Sequence, residues 1–289
     1  MAVAVAAQRS TFADPNRPPV HAALSYVVRS ASVPRSYTYP PPAGEPWESA
    51  DFDRRTVRIA DGRRHPGATS VHREGFELWD APSAVSDFLD HDAVTGTYYA
   101  ECAELALAAT GAARAYVFDH LLRRREPDGT PLTFGRPDQG RAGANGRIHN
   151  DYTEASGRRR LGLVVTDPAE RAAVRRYSIV NIWRPIRGPV LDAPLAVCDA
   201  RTVAADDLVT AEVLYPRRTG EIYFVAHSPG HRWTFFSGMD RHEALVFKQF
   251  DSAQDVARFT PHSAFDHPHT PPGTPPRESI ELRCLVVYD

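Results

Sequence analysis

The sequence predicts a mainly β protein, a β-sandwich or jelly roll, with one long flanking helix and an N-terminal extension. Three observations carry that expectation. Beyond residue 146, short apolar and β-branched runs recur between turn residues, at 177–183, 221–226, 232–237, 244–250 and 280–288. Val94, Tyr98, Cys102, Leu105 and Ala109 instead recur at helical spacing within 84–112, and Gly111 is placed to cap the helix. No internal repeat interrupts the pattern.

In chain order, residues 1–83 alternate strand-like pieces, such as 24–28 and 56–59, with Pro-rich connections, and read as an extension packed on the main core. Residues 84–125 hold the helix and then a strand, where Ala115, Val117 and Asp119 alternate with Tyr116, Phe118 and His120. A polar, Gly-rich stretch at 126–147 leads into the jelly-roll core, 146–289. The 289 residues are expected to form a single domain, since all-β units of this size commonly fold around one core.

Composition narrows the function classes. With 34 basic and 36 acidic residues the formal charge is -2, without the basic stripe that tracks phosphates, so no nucleic-acid partner is expected. The apolar stretch 1–7 is too short for a signal-peptide core, and no run approaches membrane-spanning length, so the expected setting is cytoplasmic with no membrane contact. Cys102, Cys198 and Cys284 are far apart and lie in apolar segments, which suggests small core residues rather than a disulfide framework or a zinc site. The 25 prolines cluster at 34–46 and 261–276, where loops at 34–46 and 266–276 are candidate lids.

The segment Arg147-Ile148-His149-Asn150-Asp151-Tyr152 sets an imidazole and a carboxylate two residues apart. On a strand both point to one face, so two metal ligands would converge. Non-haem Fe(II) oxygenases need two histidines and one carboxylate on one face of the iron, leaving the opposite positions open. Taken alone the pair is weak, because strand histidines more often serve as hydrogen-bonded structural groups.

Downstream, His262 is followed fifteen positions later by Arg277, with Ser279 two further on. On the strand that begins there, a guanidinium fork and a hydroxyl would share a face and could grip a carboxylate. The distal carboxylate of 2-oxoglutarate is a fitting ligand. The plainer reading of Arg277 is a salt bridge to Glu278 or Glu281, and of Ser279 ordinary strand polarity.

Further blocks follow in order: Asn181-Ile182-Trp183-Arg184-Pro185, Pro194-Leu195-Ala196-Val197-Cys198-Asp199, His231-Arg232-Trp233, Phe247-Lys248-Gln249-Phe250-Asp251-Ser252 and Pro261-His262-Ser263-Ala264-Phe265. With His149-Asn150-Asp151-Tyr152-Thr153 and Pro276-Arg277-Glu278-Ser279-Ile280-Glu281, they make residues 146–288 resemble the gibberellin-desaturase-like, aspergillic-acid-type hydroxylase/desaturase family, which includes cephamycin methoxylase components. The resemblance implies a double-stranded β-helix that binds Fe(II) and 2-oxoglutarate and hydroxylates or desaturates a small secondary metabolite. It carries the iron ligands onto His149, Asp151 and His262. It also leaves room for a homodimer or a partner biosynthetic enzyme.

Spacing alone does not choose the distal histidine, since His227, His231, His242, His267 and His269 also follow the first pair. His231 is the second choice. His227 and His231 mimic a zinc pair, but Ser228-Pro229-Gly230 between them is a turn. Asn181 and Trp183 share a strand face opposite to Arg184, so Asn181 either reaches the cosubstrate or pairs with backbone beside a buried Trp183. Tyr152 is expected to pack, and Lys248 to face solvent. Two rival functions stand beside the oxygenase: a catalytically silent jelly-roll partner of another enzyme, and a cupin-like zinc or manganese enzyme without 2-oxoglutarate.

Overall fold

A computed structural model describes residues 8–9, 18–64, 68–126, 131–135, 137–138 and 141–288. Two large sheets pack face to face. In spatial order the first runs β1 (Gln8–Arg9), β5 (Phe76–Asp80), β15 (Glu243–Asp251), β10 (Arg176–Pro185), β17 (Glu278–Tyr288), β6 (Arg114–Arg124), β8 (Arg141–Gly143) and β7 (Pro137–Asp138). The second runs β2 (Val20–Val27), β4 (Phe52–Asp61), β14 (Trp233–Phe235), β11 (Leu195–Cys198), β16 (His262–Ala264), β9 (His149–Asn150), β13 (Arg218–Val225), β12 (Leu208–Tyr215) and β3 (Arg35–Tyr37).

This is the expected mainly β jelly roll, and the five strands expected beyond residue 146 are present with ends shifted by a few residues. The segment expected as an extension does more than pack on the core. Its strands β2 and β4 pair along eight residues, β4 continues the second sheet by pairing parallel to β14, and β5 pairs with β15 in the first. Such long-range pairings leave no mark on local periodicity. The Pro-rich segment 34–46 likewise starts inside a sheet, since β3 pairs parallel to β12.

The helix is shorter than its apolar pattern. It comprises α1 (His91–Ala93), a π-helical turn Val94–Tyr98 and α2 (Tyr99–Thr110). Asp90 starts it by accepting from the Asp92 and Ala93 N–H groups, and Gly111 ends it at φ 66°. Two further helices, α3 (Glu154–Val164) and α4 (Pro168–Ala173), were not expected. Thr153 and Ser156 form a reciprocal cap that starts α3, but Gly157 and Gly162 weaken its sequence signal. Gly157 is there for space, because a Cβ would meet the Phe250 ring at 2.5 Å.

The central strands β15, β10 and β17 of the first sheet are buried on both faces. On β17, Ile280, Leu282, Cys284 and Val286 join Val180 and Ile182 of β10 against Tyr98, Cys102, Leu105 and Ala109 of the helix. The alternate residues therefore point between the sheets, where Trp183, Leu245 and Phe247 meet Leu195 and Val197 of β11. Arg184 points the other way, its Nε donating to the Tyr98 hydroxyl at 3.2 Å. All three cysteines are buried and free.

Candidate metal and cosubstrate site

Neighbouring strands of the second sheet bring two histidines together. His149 on β9 and His262 on β16 are antiparallel register partners, with ring centroids 4.2 Å apart. Asp151 does not lie on the strand as expected, because β9 ends at Asn150 and the chain bends toward the Thr153 cap of α3. Its carboxylate still turns to the same place. One potential ligand atom from each of His149, Asp151 and His262 lies within 4.8 Å of the others.

The surrounding hydrogen bonds hold this arrangement. His149 Nδ1 lies 2.8 Å from the Arg147 carbonyl and His262 Nδ1 3.4 Å from that of Thr260. A carbonyl partner calls for the proton on Nδ1, which leaves each Nε2 lone pair for a metal. The Asp151 N–H donates to Gln249 Oε1 at 2.7 Å, while Asp151 Oδ2 accepts from Asn181 Nδ2 and Arg283 Nε, both at 2.9 Å. Asn150 ties the pieces together, donating to the Tyr152 and Gln249 carbonyls and accepting from the Thr260 N–H.

Electrostatics favour the ligand forms. Burial alone would raise the Asp151 carboxyl, but Arg283 and His149 outweigh it and hold it well below the usual carboxylate range. Burial, reinforced by His149, keeps His262 well below its ordinary value and hence neutral. A carboxylate with two neutral imidazoles is the set that non-haem iron takes.

Across the gap, Arg277 just before β17 and Ser279, Glu281 and Arg283 on it alternate onto one face, all well buried except half-buried Arg283. Arg283 is fully engaged with Asp151, Asp119 and Glu281. Arg277 is not. Its Nη1 donates to the carbonyl of Ala193, a residue at φ 43°, and its guanidinium lies 5.6 Å from the Trp183 ring centroid. Neither expected salt bridge of Arg277, to Glu278 or Glu281, forms among the described residues; Glu278 instead meets Arg124, Arg141 and Arg187. Burial and neighbouring Arg123 bring the Arg277 pKa down to about 10.

Three side-chain atoms here are buried without a hydrogen-bond partner: Arg277 Nε, Ser279 Oγ and Asn181 Oδ1. Orphaned polar groups are costly, and three in one site fit a ligand that supplies their partners. The residues present thus fit both a metal ion and a carboxylate-bearing cosubstrate.

The rival histidines are elsewhere. His231 Nε2 pairs with Asp207 Oδ2 at 3.1 Å and its ring stacks on Tyr26, against which His227 packs edge-on. His267 packs on Phe235 and Phe265, and His242 and His269 are exposed. Lys248 overturns its solvent-facing expectation, being wholly buried with Nζ 2.6 Å from Asp251 Oδ2, because Asp251 and Arg176 make a charged network there. Tyr152 packs with Tyr177 and Phe250 as expected.

Sequence reading missed Gln249, Asn150, Glu281, Arg283 and Arg123. Gln249 sits at a bulge in the β10–β15 pairing, where Ile179 opposes Phe250 and Val180 opposes Lys248, and the extra residue is turned toward Asp151. A bulge has no local signal here. Glu281 and Arg283 were within reach, since the alternation that joins Arg277 to Ser279 continues to both. A separate cavity of about 540 Å³, lined by His72, Arg201, Val256 and Phe259 among others, includes none of the triad.

Comparison with known proteins agrees with this geometry. A family described as an oxidoreductase/YMDC permease-like domain matches residues 24–287. Hydroxylase/desaturase CTB9 of Cercospora beticola is 35% identical over 255 residues, covering 82% of this chain and 78% of the relative. The chain belongs to the Fe(II)/2-oxoglutarate-dependent hydroxylase/desaturase family. Another relative in this family, the Fe(II)/2-oxoglutarate-dependent dioxygenase nvfI of Aspergillus novofumigatus, is 30% identical over 257 residues, covering 86% of this chain and 89% of the relative. A solved structure of the iron and alpha-ketoglutarate-dependent endoperoxidase NvfI superimposes with a TM-score of 0.80 at 28% identity, covering 94% of this chain and 99% of that one. Hydroxylase/desaturase efuI of Hormonema carpetanum, 31% identical over 82% of this chain and 85% of its own length, extends the hydroxylase/desaturase family likeness.

Proposed function

We propose that this chain is an Fe(II)- and 2-oxoglutarate-dependent dioxygenase that hydroxylates or desaturates a small specialised metabolite. One observation carries the reading: buried His149 and His262, with half-buried Asp151, face a wall that leaves Arg277 Nε and Ser279 Oγ without partners. His149, Asp151 and His262 would hold the iron. Arg277 and Ser279 would bind the distal carboxylate of 2-oxoglutarate, and Asn181 the cosubstrate through its free Oδ1.

When bound, iron and the keto acid supply the oxidising power for C–H cleavage, with 2-oxoglutarate decarboxylated as O2 is reduced. The chain's own residues do the positioning. Asn181, Arg283 and Gln249 fix the Asp151 carboxylate from three sides, so the ligand set needs little reorganisation on binding metal. Trp183, Leu245 and Phe247 form a dry wall beside it, which strengthens the grip of Arg277 on an anion. Strands from both ends of the chain build both sheets, which supports one oxygenase domain over 1–289. No helix among the described residues is long and apolar enough to cross a membrane, and the cytoplasmic setting and any homodimer or partner enzyme stay within this proposal.

The retained ligand set counts against a silent partner protein, and the orphaned Arg277 and Ser279 against a zinc or manganese enzyme that uses no 2-oxoglutarate. The test is anaerobic titration of metal-free protein with Fe(II) and then 2-oxoglutarate. A weak visible charge-transfer band, absent in His149→Ala, is expected. Iron binding without the band would refute the cosubstrate roles, and absence of metal binding would refute the enzyme reading.

A further inference from the structure

One cation on the inner face has no task in this account. Arg123 on β6 is the antiparallel register partner of Ser279, and two residues along the Arg125 N–H donates to the Arg277 carbonyl. Directly opposed residues point to the same face, and diagonal ones lie roughly 7–8 Å apart, within reach of long side chains. Arg123 is therefore beside Ser279 and diagonal to Arg277.

The acids nearby are already engaged. Glu281 receives Arg283 Nη2 at 3.1 Å, and Arg125 meets Asp266 and Glu126. The Arg123 guanidinium makes one hydrogen bond, from Nη1 to the Gly143 carbonyl at 2.9 Å, and has no ion pair among the described residues. The Arg123 and Arg277 guanidiniums thus lie close enough to repel each other, with Glu281 the acid that acts on both but forms an ion pair with neither among the described residues, beside two buried orphan atoms. Like charges held close repel, and the acid they share, Glu281, is already paired with Arg283, so the arrangement calls for a further anion. A carboxylate has two oxygens and about four acceptor positions, enough for two guanidiniums and a hydroxyl.

We infer that Arg123 is the second arm of the cosubstrate clamp, binding the distal carboxylate of 2-oxoglutarate together with Arg277 and Ser279. The inference rests on the proposed function of this site and deepens it. It makes the site selective for keto acids with a second carboxylate, because a monocarboxylate would leave the two cations facing each other.

The experiment compares wild type, Arg123→Met and Arg123→Lys, each loaded anaerobically with Fe(II). Each is titrated with 2-oxoglutarate and with 2-oxobutanoate, which lacks the distal carboxylate, and Kd is read from the charge-transfer band. Losing one charge-assisted hydrogen bond should weaken 2-oxoglutarate about 10- to 100-fold in Arg123→Met and less in Arg123→Lys, with 2-oxobutanoate changed less than about twofold. Unchanged 2-oxoglutarate affinity would overturn the inference and assign Arg123 to the organic substrate. Equal losses for both keto acids would overturn it in favour of a structural role. A wild-type protein with no band would sink the proposed function, and this clamp with it.

Discussion

His149 and His262 face each other as register partners across the β9–β16 pair, with their rings 4.2 Å apart. The pairing sets His262 beside His149 as a consequence of strand order, and it separates His262 from His231, which is held by Asp207. His262→Ala is expected to lower Fe(II) affinity by more than about 100-fold, beyond the 10- to 100-fold typical of supporting residues. His231→Ala should leave it within about threefold. Equilibrium dialysis against Fe(II) would decide, and the reverse ranking would remove His262 from the site.

Gln249 accepts the Asp151 N–H from its bulge position. Gln249→Leu would strand that buried donor, costing about 1–3 kcal/mol of stability, and would free Asp151 to drift from the metal. Iron affinity should fall about tenfold with the sheet intact. Denaturant melts and metal titration together test this, and an unchanged iron affinity would reduce Gln249 to a packing residue.

Gly75 acts from outside the site. At φ 94° it has a conformation that side chains resist, and an added Cβ would run into Thr260 Oγ1. Thr260 in turn contacts Asn150, Gln249 and His262 through its backbone. Gly75→Ala is expected to cost about 2 kcal/mol and to weaken iron binding, whereas Gly44→Ala, where φ is similar but space is open, should cost about 1 kcal/mol and leave iron alone. Equal iron affinities would break the proposed coupling.

Arg277 gives a pH signature. Its folded-state pKa, about 10, lies below the ordinary guanidinium value because burial and Arg123 disfavour the cation. Between these values the unfolded chain holds the proton more tightly, so the group's unfavourable contribution is relieved as pH rises through about 10 and is present in full below it. In the metal-loaded protein, 2-oxoglutarate affinity should therefore be flat toward neutrality and fall as pH passes 10. Arg277→Met should bind 2-oxoglutarate at least tenfold more weakly at pH 7.5, yet raise ligand-free stability by about 1 kcal/mol, or roughly 2–4 °C in Tm. A ligand-free protein destabilised by the change would show that Arg277 supports the fold.

Much of this was legible in the residues themselves. The alternation at 280–288 announced β17, and the same alternation set Arg277 and Ser279 on one side of it. His149, Asp151 and His262 could be named as candidates, but only the pairing of β9 with β16 sets His262, rather than His231, beside His149. Lys248 was misread because a lysine between Phe247 and Phe250 reveals nothing of Asp251 folding back on it. Gln249 and Arg123 were invisible for a related reason. One depends on a bulge and the other on which residue of a distant strand lies opposite Ser279, and neither is encoded within a window of neighbouring residues.

The two faces of β17 are committed to different ends: one packs on the helix through Ile280, Leu282, Cys284 and Val286, and the other, with Arg277 just before it, turns Ser279, Glu281 and Arg283 toward the proposed site. Inserting or deleting one residue in this strand would exchange the two sets, driving guanidiniums under the helix and isoleucine toward the proposed metal site. Loops elsewhere can change length without that exchange, but the length of this strand is fixed by what its two faces meet.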